Sequence, residues 1–430
     1  MNPVKSLILA VLLISFLIWN CSMKEKKTNR LNLIDRDSIY TQLIQICDKI
    51  IDWNVGSGKL EDIHDNSTTS IFINGNMARV LICTYELTGK QEFLEEGLRY
   101  CKFLAEQAFP VTTSKGNQAY WWYDQERTKN LYLADTGTAM TAFYKAIPYL
   151  NENERALILS RLDGFFRLIT EGTSSDPTNL GLAASPGWVC KDSGALGVGY
   201  YRGQLEIRPY TVSTAQAGLM FATLYYQITK NPETKKIAIN AAAWLLNCIG
   251  SDGGFEYRIC GEVLPEYKFQ ATHYTIEALC CFFDLIKDEH LKKIWNSRFP
   301  ALLDFILSQR NSDGLWGINR EYDAQRSVFL MLAMTKAKRT GIGAEEIQTA
   351  ICKGLTFLQS ARNAYDYGIN VLIRQTGFIG LVYADMLKES ITYTHPKKTE
   401  VPSNISELNL AAQKLTLKMN EFEKTEFSNN

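Results

Sequence analysis

Residues 306–327 read ILSQRNSDGLWGINREYDAQRS and place an Asp-Gly turn and a tryptophan between two segments of helical patterning. Asp-Gly makes a tight turn because glycine accepts positive φ and aspartate bonds its own local backbone. Trp316 is then free to pack over the helix ends. The same arrangement occurs one helical pair earlier, CIGSDGGFEYR at 248–258, and in weaker form one pair later, SARNAYDYG at 360–368. On this reading Asp252, Gly253, Phe255, Asp313, Gly314 and Trp316 are first of all turn and staple residues.

The segments joined by these turns are of two kinds. One is amphipathic: KQEFLEEGLRYCKFLAEQA (90–108) lines Phe93, Leu94, Leu98, Cys101, Leu104 and Ala105 along one face, with Glu and Lys opposite. The other is apolar or small on nearly every side, as in ADTGTAMTAFYKAI (134–147), STAQAGLMFATLYYQI (213–228) and ATHYTIEALCCFFDLI (271–286). A helix that is apolar all round has neighbours all round. The two kinds alternate through about six pairs from residue 38 onward. One-faced helices therefore form an outer layer and all-round apolar helices an inner one. The expected fold is all-α, an (α/α)6 toroid of about six helical hairpins. Long connections at about 109–130 and 172–209 are the places where function is commonly carried. Short strands are admitted only within those loops.

The chain has 430 residues, 46% hydrophobic and 21% charged, with 46 basic and 46 acidic residues. No basic block interleaved with aromatics is present, so nucleic acid is not an expected partner. The start, MNPVKSLILAVLLISFLIWNC, sets Lys5 before an apolar run from Leu7 to Trp19 and ends at Cys21. It resembles a bacterial lipoprotein signal with Cys21 as the lipidated residue; an uncleaved anchor is the alternative. Ile18, Trp19 and Asn20 depart from the small residues usual before such a cysteine. Either way the expectation is an exported protein of the cell envelope, held to the membrane through its N-terminus. The expected organisation is a signal or anchor at 1–21, a polar linker at 22–37, the toroid at 38–389, and a polar tail at 390–430. The tail carries a docking amphipathic helix with Ile405, Leu408, Ala412 and Leu415 on one face. Of the 10 cysteines, most sit in apolar helical patterns and read as buried free thiols. Cys248 and Cys260 flank one turn and are the pair nearest to bridging. No spacing calls for a metal, and no cofactor is expected.

FILSQRNSDGLWG (305–317) is similar to the Gln-Trp repeat of terpenoid cyclases and protein prenyltransferases, which are α/α toroids. The resemblance spans roughly 233–390 and implies the fold. The cyclases' acid-rich Asp cluster and the prenyltransferases' Asp, Cys and His zinc ligands have no counterpart, which disfavours their chemistry. NMARVLICTYELTGKQEFLEEGLRYCKFL (76–104) and LMFATLYYQITKNPETKKIAINAAAWLL (219–246) resemble the helix joints of six-hairpin carbohydrate enzymes: sugar epimerases, unsaturated-uronide hydrolases and polysaccharide lyases. Residues 211–285 also resemble the C-terminal domain of glucuronyl C5-epimerases. No catalytic signature carries over residue by residue.

Loops entering the inner helices line one mouth of a toroid. Those of this chain supply Trp121, Trp122, Tyr201, Arg202, Arg208, Trp316, Tyr322 and Arg326 as candidate substrate-binding residues. Sugar rings stack on Trp and Tyr, and arginine pairs bidentately with a carboxylate. An acidic, uronate-bearing glycan is thus the expected ligand, unless these arginines are taken by the equally numerous acids beside them. Glycoside hydrolysis calls for two carboxyl groups; lyase or epimerase chemistry calls for a base and a group neutralising the uronate. His273 and Glu277, spaced i, i+4, share a face of an inner helix, and a carboxylate within YTIEALCCFF must find a partner. Glu277, His273, Tyr257 and Arg258 are the candidate catalytic residues; a structural acid capped by an arginine is the alternative for Glu277. Asp135, in LYLADTGTAM, is read as a helix cap. The expected activity is that of a hydrolase, lyase or epimerase. The alternatives are a non-catalytic glycan-binding or assembly lipoprotein, or a terpenoid-cyclase-like toroid with an apolar ligand.

Overall fold

The computed structural model describes residues 36–53, 71–123, 130–310, 316, 320–338, 341–364 and 369–389. Among them helices of two kinds alternate. The outer set is α1 (Arg36–Trp53), α3 (Gln91–Glu106), α5 (Glu152–Glu171), α7 (Pro232–Leu246), α9 (Glu289–Ser308) and α11 (Ala344–Ala364). The inner set is α2 (Ile71–Thr88), α4 (Leu133–Ala146), α6, α8 (Lys268–Leu285), α10 (Arg320–Ala337) and α12 (Ile369–Glu389). Helix α6 has three parts, Thr211–Ser213, a π-helical stretch Thr214–Phe221, and Ala222–Thr229.

Each inner helix packs on the next, α2 on α4, α4 on α6, α6 on α8, α8 on α10, α10 on α12, and α12 back on α2. The ring is closed, and α2 and α8 face each other across it. Outer helices lie on the inner ones: α1 on α12 and α2, α3 on α2, α7 on α6, α11 on α10. The chain is an all-α toroid, as the alternation of helix types implies. Helix α3 buries Phe93, Leu94, Gly97, Tyr100, Cys101, Leu104 and Ala105, one face of a 3.6-residue period. Helix α8 buries an unbroken run from Ala271 to Cys280, polar residues included.

The repeated turn does what its composition implies. Ile249 bridges to Phe255 in one copy and Arg310 to Trp316 in the next. In each copy the aromatic residue's N–H donates to a hydroxyl on the following inner helix, Phe255 to Thr272 (3.3 Å) and Trp316 to Ser327 (2.9 Å). Trp316 also donates its indole N–H to the Ile306 carbonyl at 2.6 Å. Gly253 is obligatory: φ is +89°, and a Cβ there would stand 2.4 Å from the Ala301 carbonyl oxygen. The weaker third copy falls largely outside the described residues.

Short strands lie in or next to the two long loops, and one further pair lies in the connection between α7 and α8. β1 (Phe109–Thr112) pairs with β2 (Gln118–Trp121); β3 (Leu131–Tyr132), β4 (Gly199–Tyr201) and β5 (Gln204–Glu206) form one small sheet; β6 (Arg258–Ile259) pairs with β7 (Glu262–Val263). The cysteines among the described residues are free thiols, Cys248 and Cys260 included. Cys21, the expected signal and linker, and the expected tail helix lie outside the described residues. No helix of the described residues is long and apolar enough to cross a membrane.

Close approach of the inner helices depends on small residues. A Cβ on Gly137 of α4 would lie 2.8 Å from the Gln216 carbonyl carbon and the Ala217 nitrogen of α6. The wider π turn there carries Gln216 between two neighbours. Its side-chain oxygen accepts from Thr138 (3.2 Å), and its amide donates to the Tyr274 carbonyl (3.4 Å). Gly137→Ala is expected to cost about 1–3 kcal/mol through overpacking, read as a lower midpoint in urea unfolding; an unchanged midpoint would mean that α4 and α6 have room to separate.

Candidate functional site

The lumen of the ring and its mouth are chemically different places. In the lumen, Arg79 of α2 donates from Nη2 to Glu277 Oε1 of α8 at 2.6 Å, and from Nη1 to Asn76 Oδ1 at 3.1 Å. Because α2 and α8 are opposite members of the ring, this ion pair crosses it. It sits about 14 Å below the start of α8, nine residues at about 1.5 Å each. Burial pushes the Glu277 carboxyl up, but Arg79, then His273 and Lys336, outweigh it and hold the group below the usual carboxylate range. The arginine-capped structural acid is the reading the structure supports for Glu277.

His273, one turn above Glu277, is enclosed. Its ring lies parallel to Phe329 at 4.9 Å and meets Phe378 edge-on at 5.6 Å. Neither ring nitrogen has a hydrogen-bond partner. Burial lowers its pKa to about 4, against the opposing pull of Glu277, and the neighbouring Phe329 main chain favours the charged form without meeting a nitrogen in hydrogen-bond geometry. Side chains occupy the lumen at this level. Glu277 and His273, expected at the reaction centre, are therefore 2% and 0% exposed and out of reach of a ligand at the mouth.

The mouth is built by the two hairpin loops and the start of α4. β3 pairs with β4, Tyr132 opposite Gly199, and this sets Tyr132 against Tyr201 with ring centres 5.4 Å apart. Gly199 makes the pairing possible: its φ is +129°, and a Cβ would be 1.9 Å from the Leu131 carbonyl oxygen. The β4–β5 turn is pinned where Asn130 Oδ1 accepts from the Arg202 N–H at 2.9 Å. The second loop is clamped by Thr211 at the head of α6. Its hydroxyl donates to the Glu256 carbonyl (2.8 Å) and accepts from the Arg258 N–H (3.0 Å). Tyr257, between those two contacts, meets Tyr210 with the hydroxyl oxygens 2.8 Å apart and packs against Tyr267 at 5.1 Å.

Asp135, half-buried in the first turn of α4, is close enough to this pair that its charge raises the pKa of both phenols. Burial is the larger cause for each; Tyr257 is pushed up to about 12 and Tyr210 further. Tyr132 acts on Tyr210 in the same way, and Tyr201 and Tyr267 act on Tyr257. Asp135 and five tyrosines thus gather among the described residues of the rim. Such a group can stack sugar faces, donate hydrogen bonds to hydroxyls, and move a proton at the carboxylate.

Other expected residues fall elsewhere. Trp121, Trp122 and Trp316 are 0%, 1% and 0% exposed and offer no face to a ligand. Trp121 packs on Trp188 and Tyr200 beneath the small sheet, Trp122 donates to the Leu104 carbonyl at 2.7 Å, and Trp316 is the staple already described. Arg208 pairs with Glu206 through Nε at 2.8 and 3.0 Å, and Arg258 with Glu256 at 2.8 Å. Both pairs have the spacing i, i+2, which puts side chains on one face of an extended chain. Arg202 is exposed and lies over the Tyr201 ring at 4.9 Å. Tyr322 and Arg326 fall on α10 in a stretch whose side chains lie outside the described residues. Asp135 was visible as an acid in an apolar segment, but the cap position of α4 belongs to Tyr132, which makes no side-chain cap.

The fold is that of an α/α toroid of helical hairpins. No family model matches the chain, and no curated relative matches it. Among solved structures it is similar to the Lin0763 protein of Listeria innocua (TM-score 0.59, 13% identity, 83% of this chain and 99% of that one). It is also similar to an alpha-1,6-mannanase of Salegentibacter sp. HEL1_6 in complex with alpha-1,6-mannotriose (0.53, 12%, 82% and 100%), and to a family 88 glycosyl hydrolase of Bacteroides vulgatus (0.53, 10%, 81% and 99%). At these identities the likeness is one of fold. The mannanase is an inactive variant with two adjacent aspartates replaced; no two aspartates adjoin in the present sequence.

Two stability measurements follow from the lumen. Glu277→Ala leaves Arg79 buried without a counter-ion and is expected to cost about 3–5 kcal/mol, whereas replacing both by methionine costs less than either single change. A double variant weaker than both singles would mean that the pair does not compensate internally. For His273 the ordinary pKa is 6.5 and the folded value about 4. The unfolded chain therefore takes up the proton first, so stability is complete above about pH 6.5 and falls by up to about 3 kcal/mol as pH drops toward 4. His273→Phe should flatten that window in denaturant titrations; a slope unchanged by the substitution would assign it to other groups.

Proposed function

We propose that the mouth acts on a glycan and that the protein is a glycan-cleaving enzyme with Asp135 as its proton-transferring carboxylate. The observation that carries this reading is the gathering of Tyr132 with Tyr201 and of Tyr257 with Tyr267 around the mouth, with Asp135 in the first turn of α4 near enough for its charge to act on the Tyr210–Tyr257 pair. Tyr132 with Tyr201, and Tyr257 with Tyr267, supply two aromatic pairs on which sugar faces stack. Tyr257 presents a hydroxyl to the bound sugar. Asp135 takes or gives the proton at the reacting oxygen, a role that a positioned carboxyl performs when its proton affinity is tuned by its surroundings. The toroids of similar fold include a mannanase, a family 88 hydrolase and a polysaccharide lyase, which supports the class of substrate.

The state of the arginines supports a neutral sugar at the centre of the mouth. Arg208 and Arg258 already hold carboxylates of their own chain, so neither offers an unused fork to a uronate. Exposed Arg202 favours a second reading, in which an acidic unit is held at the rim against Tyr201. The apolar run behind Lys5 and ending at Cys21 supports export and a lipid anchor, which would put the mouth in contact with polymeric glycans of the envelope.

The test is a product screen of the full chain on reducing-end-labelled oligosaccharides, including alpha-1,6-mannotriose and an unsaturated uronyl disaccharide. Asp135→Asn is expected to lower kcat by at least about a hundredfold, the usual worth of a general acid–base group, while leaving the melting temperature within a few degrees. Turnover untouched by Asp135→Asn would remove Asp135 from the mechanism. Binding without turnover by the unaltered protein would establish a glycan-binding toroid instead.

A further inference from the structure

We infer that the lumen holds one ordered water molecule on the mouth side of the ion pair, joining Asn76 of α2 to His273 of α8. The inference does not depend on the glycan reading. Arg79 and Glu277 meet across the ring and mark one level of it. Asn76 lies three residues before Arg79, and His273 four residues before Glu277, so each shares a helix face with the charged residue below it. Each inner helix is reached through an outer one that returns the chain, so α2 and α8 run the same way. Both steps therefore lead toward the mouth, by about 4.5 and about 6 Å at about 1.5 Å per residue. Asn76 and His273 thus stand at one level, on opposite helices. One turn of α12 touches both. A Cβ on Gly377 would be 3.0 Å from the Asn76 Cβ, and the neighbouring Phe378 ring meets His273 edge-on at 5.6 Å.

At this level polar atoms are left over. Asn76 is 1% exposed and His273 0%. Asn76 Oδ1 accepts from Arg79 at 3.1 Å, but its Nδ2 has no partner, and neither has Nδ1 or Nε2 of His273. Buried polar groups of folded proteins are hydrogen-bonded with few exceptions, and internal water commonly supplies the bond. The ion pair below shows why the two upper side chains stop short of bonding each other. Arginine and glutamate together are long enough to cross the ring. Asparagine is much shorter than arginine, and histidine reaches about as far as glutamate. The Asn76 NH2 can only donate, and a neutral imidazole offers one N–H and one lone pair. A guest must therefore accept from Asn76 and serve a ring nitrogen of His273. Water does both, whichever tautomer is present. A cation would face the Asn76 NH2, and an anion would serve only a ring N–H and lie one turn from the Glu277 carboxylate. The water oxygen accepts from Asn76 Nδ2, and the water donates a hydrogen to the bare imidazole nitrogen. The span from α2 to α8 is then closed at two successive levels, directly at the ion pair and through water above it.

The deciding experiment needs no substrate. Oxygen-17 magnetic relaxation dispersion counts internal waters in the full chain. Asn76→Leu, which keeps the size of the side chain and removes its donor, is expected to lose one such water. His273→Phe should lose the same one, and the double variant no more than either. Circular dichroism checks that each variant stays folded. In a double-mutant cycle the two positions should be coupled about three- to tenfold in the unfolding equilibrium constant. The unaltered protein gives a reading that needs no substitution: the Asn76 side-chain amide should cross-relax with water in a rotating-frame Overhauser spectrum, and this decides the matter if a variant does not fold. A water count unchanged by both substitutions, or an Asn76 amide silent toward water, overturns the inference. So does a chloride signal in chlorine-35 relaxation that Asn76→Leu abolishes, which would make the guest an anion.

Discussion

The ion pair between Arg79 and Glu277 is the constraint around which the ring is organised. Each charge alone would be costly in the lumen, by several kcal/mol, and each is tolerable because the other meets it at 2.6 Å. The two residues stand on opposite inner helices, so their contact fixes the width of the ring as well as its charge. Small residues then let neighbouring inner helices close around that width, as at Gly137 against α6 and Gly377 against Asn76. Further down, Lys336 pairs with Asp385 at 2.5 Å, and Glu86 with Lys145 and Lys388 at 2.5 and 3.3 Å. Among the described residues, these charges along the axis are compensated within the protein.

At the mouth the loops are tied down by side-chain contacts to backbone. Asn130 holds the β4–β5 turn and Thr211 holds the second loop, while Glu206 holds Arg208. None of these clamps uses the tyrosine hydroxyls of the rim. Anchoring at these three points is assigned to short polar residues and to an arginine–glutamate pair. Two of the arginines that suggested an acidic substrate, Arg208 and Arg258, are engaged by Glu206 and Glu256, whereas Arg202 stays exposed over the Tyr201 ring.

How much of this could be read from the chain depends on the range of the contacts involved. The alternation of one-faced and all-round apolar helices is local, and it led to the closed ring. The Asp-Gly-aromatic turn is local too, and the bridges at Phe255 and Trp316 match it. Glu206 with Arg208 and Glu256 with Arg258 were legible in principle, because i, i+2 neighbours share a face of extended chain, and short strands were allowed for in the loop that holds Glu206. By contrast, 198 residues separate Arg79 from Glu277, and no periodicity links them. Glu277 stood out as an acid in an apolar helix, which is a signal for burial as much as for reactivity, and here the burial was the cause. Trp121 and Trp122 misled for a related reason: a loop rich in aromatics can line a cavity or fill the space beneath it, and pattern alone does not separate the two.

The direction of the inner helices gives the mouth one more property. Each inner helix is reached through an outer one that returns the chain, so all six run the same way and begin at the mouth. Their N-terminal ends, with unsatisfied N–H groups and partial positive charge, therefore converge on the rim, and their C-terminal ends converge on the base. Four charged side chains agree with this polarity, although Lys268 opens α8 and Glu86 lies in the last turn of α2. Asp135 lies in the first turn of α4, and Lys145, Lys336 and Lys388 lie in the last turns of α4, α10 and α12. The helix ends favour the ionised form of a carboxylate at the rim and oppose a second cation there. They would also stabilise negative charge developing on a sugar oxygen. The described part of the ring is thus polarised along its axis before any ligand arrives, with positive helix ends at the mouth and Lys145, Lys336 and Lys388 toward the base.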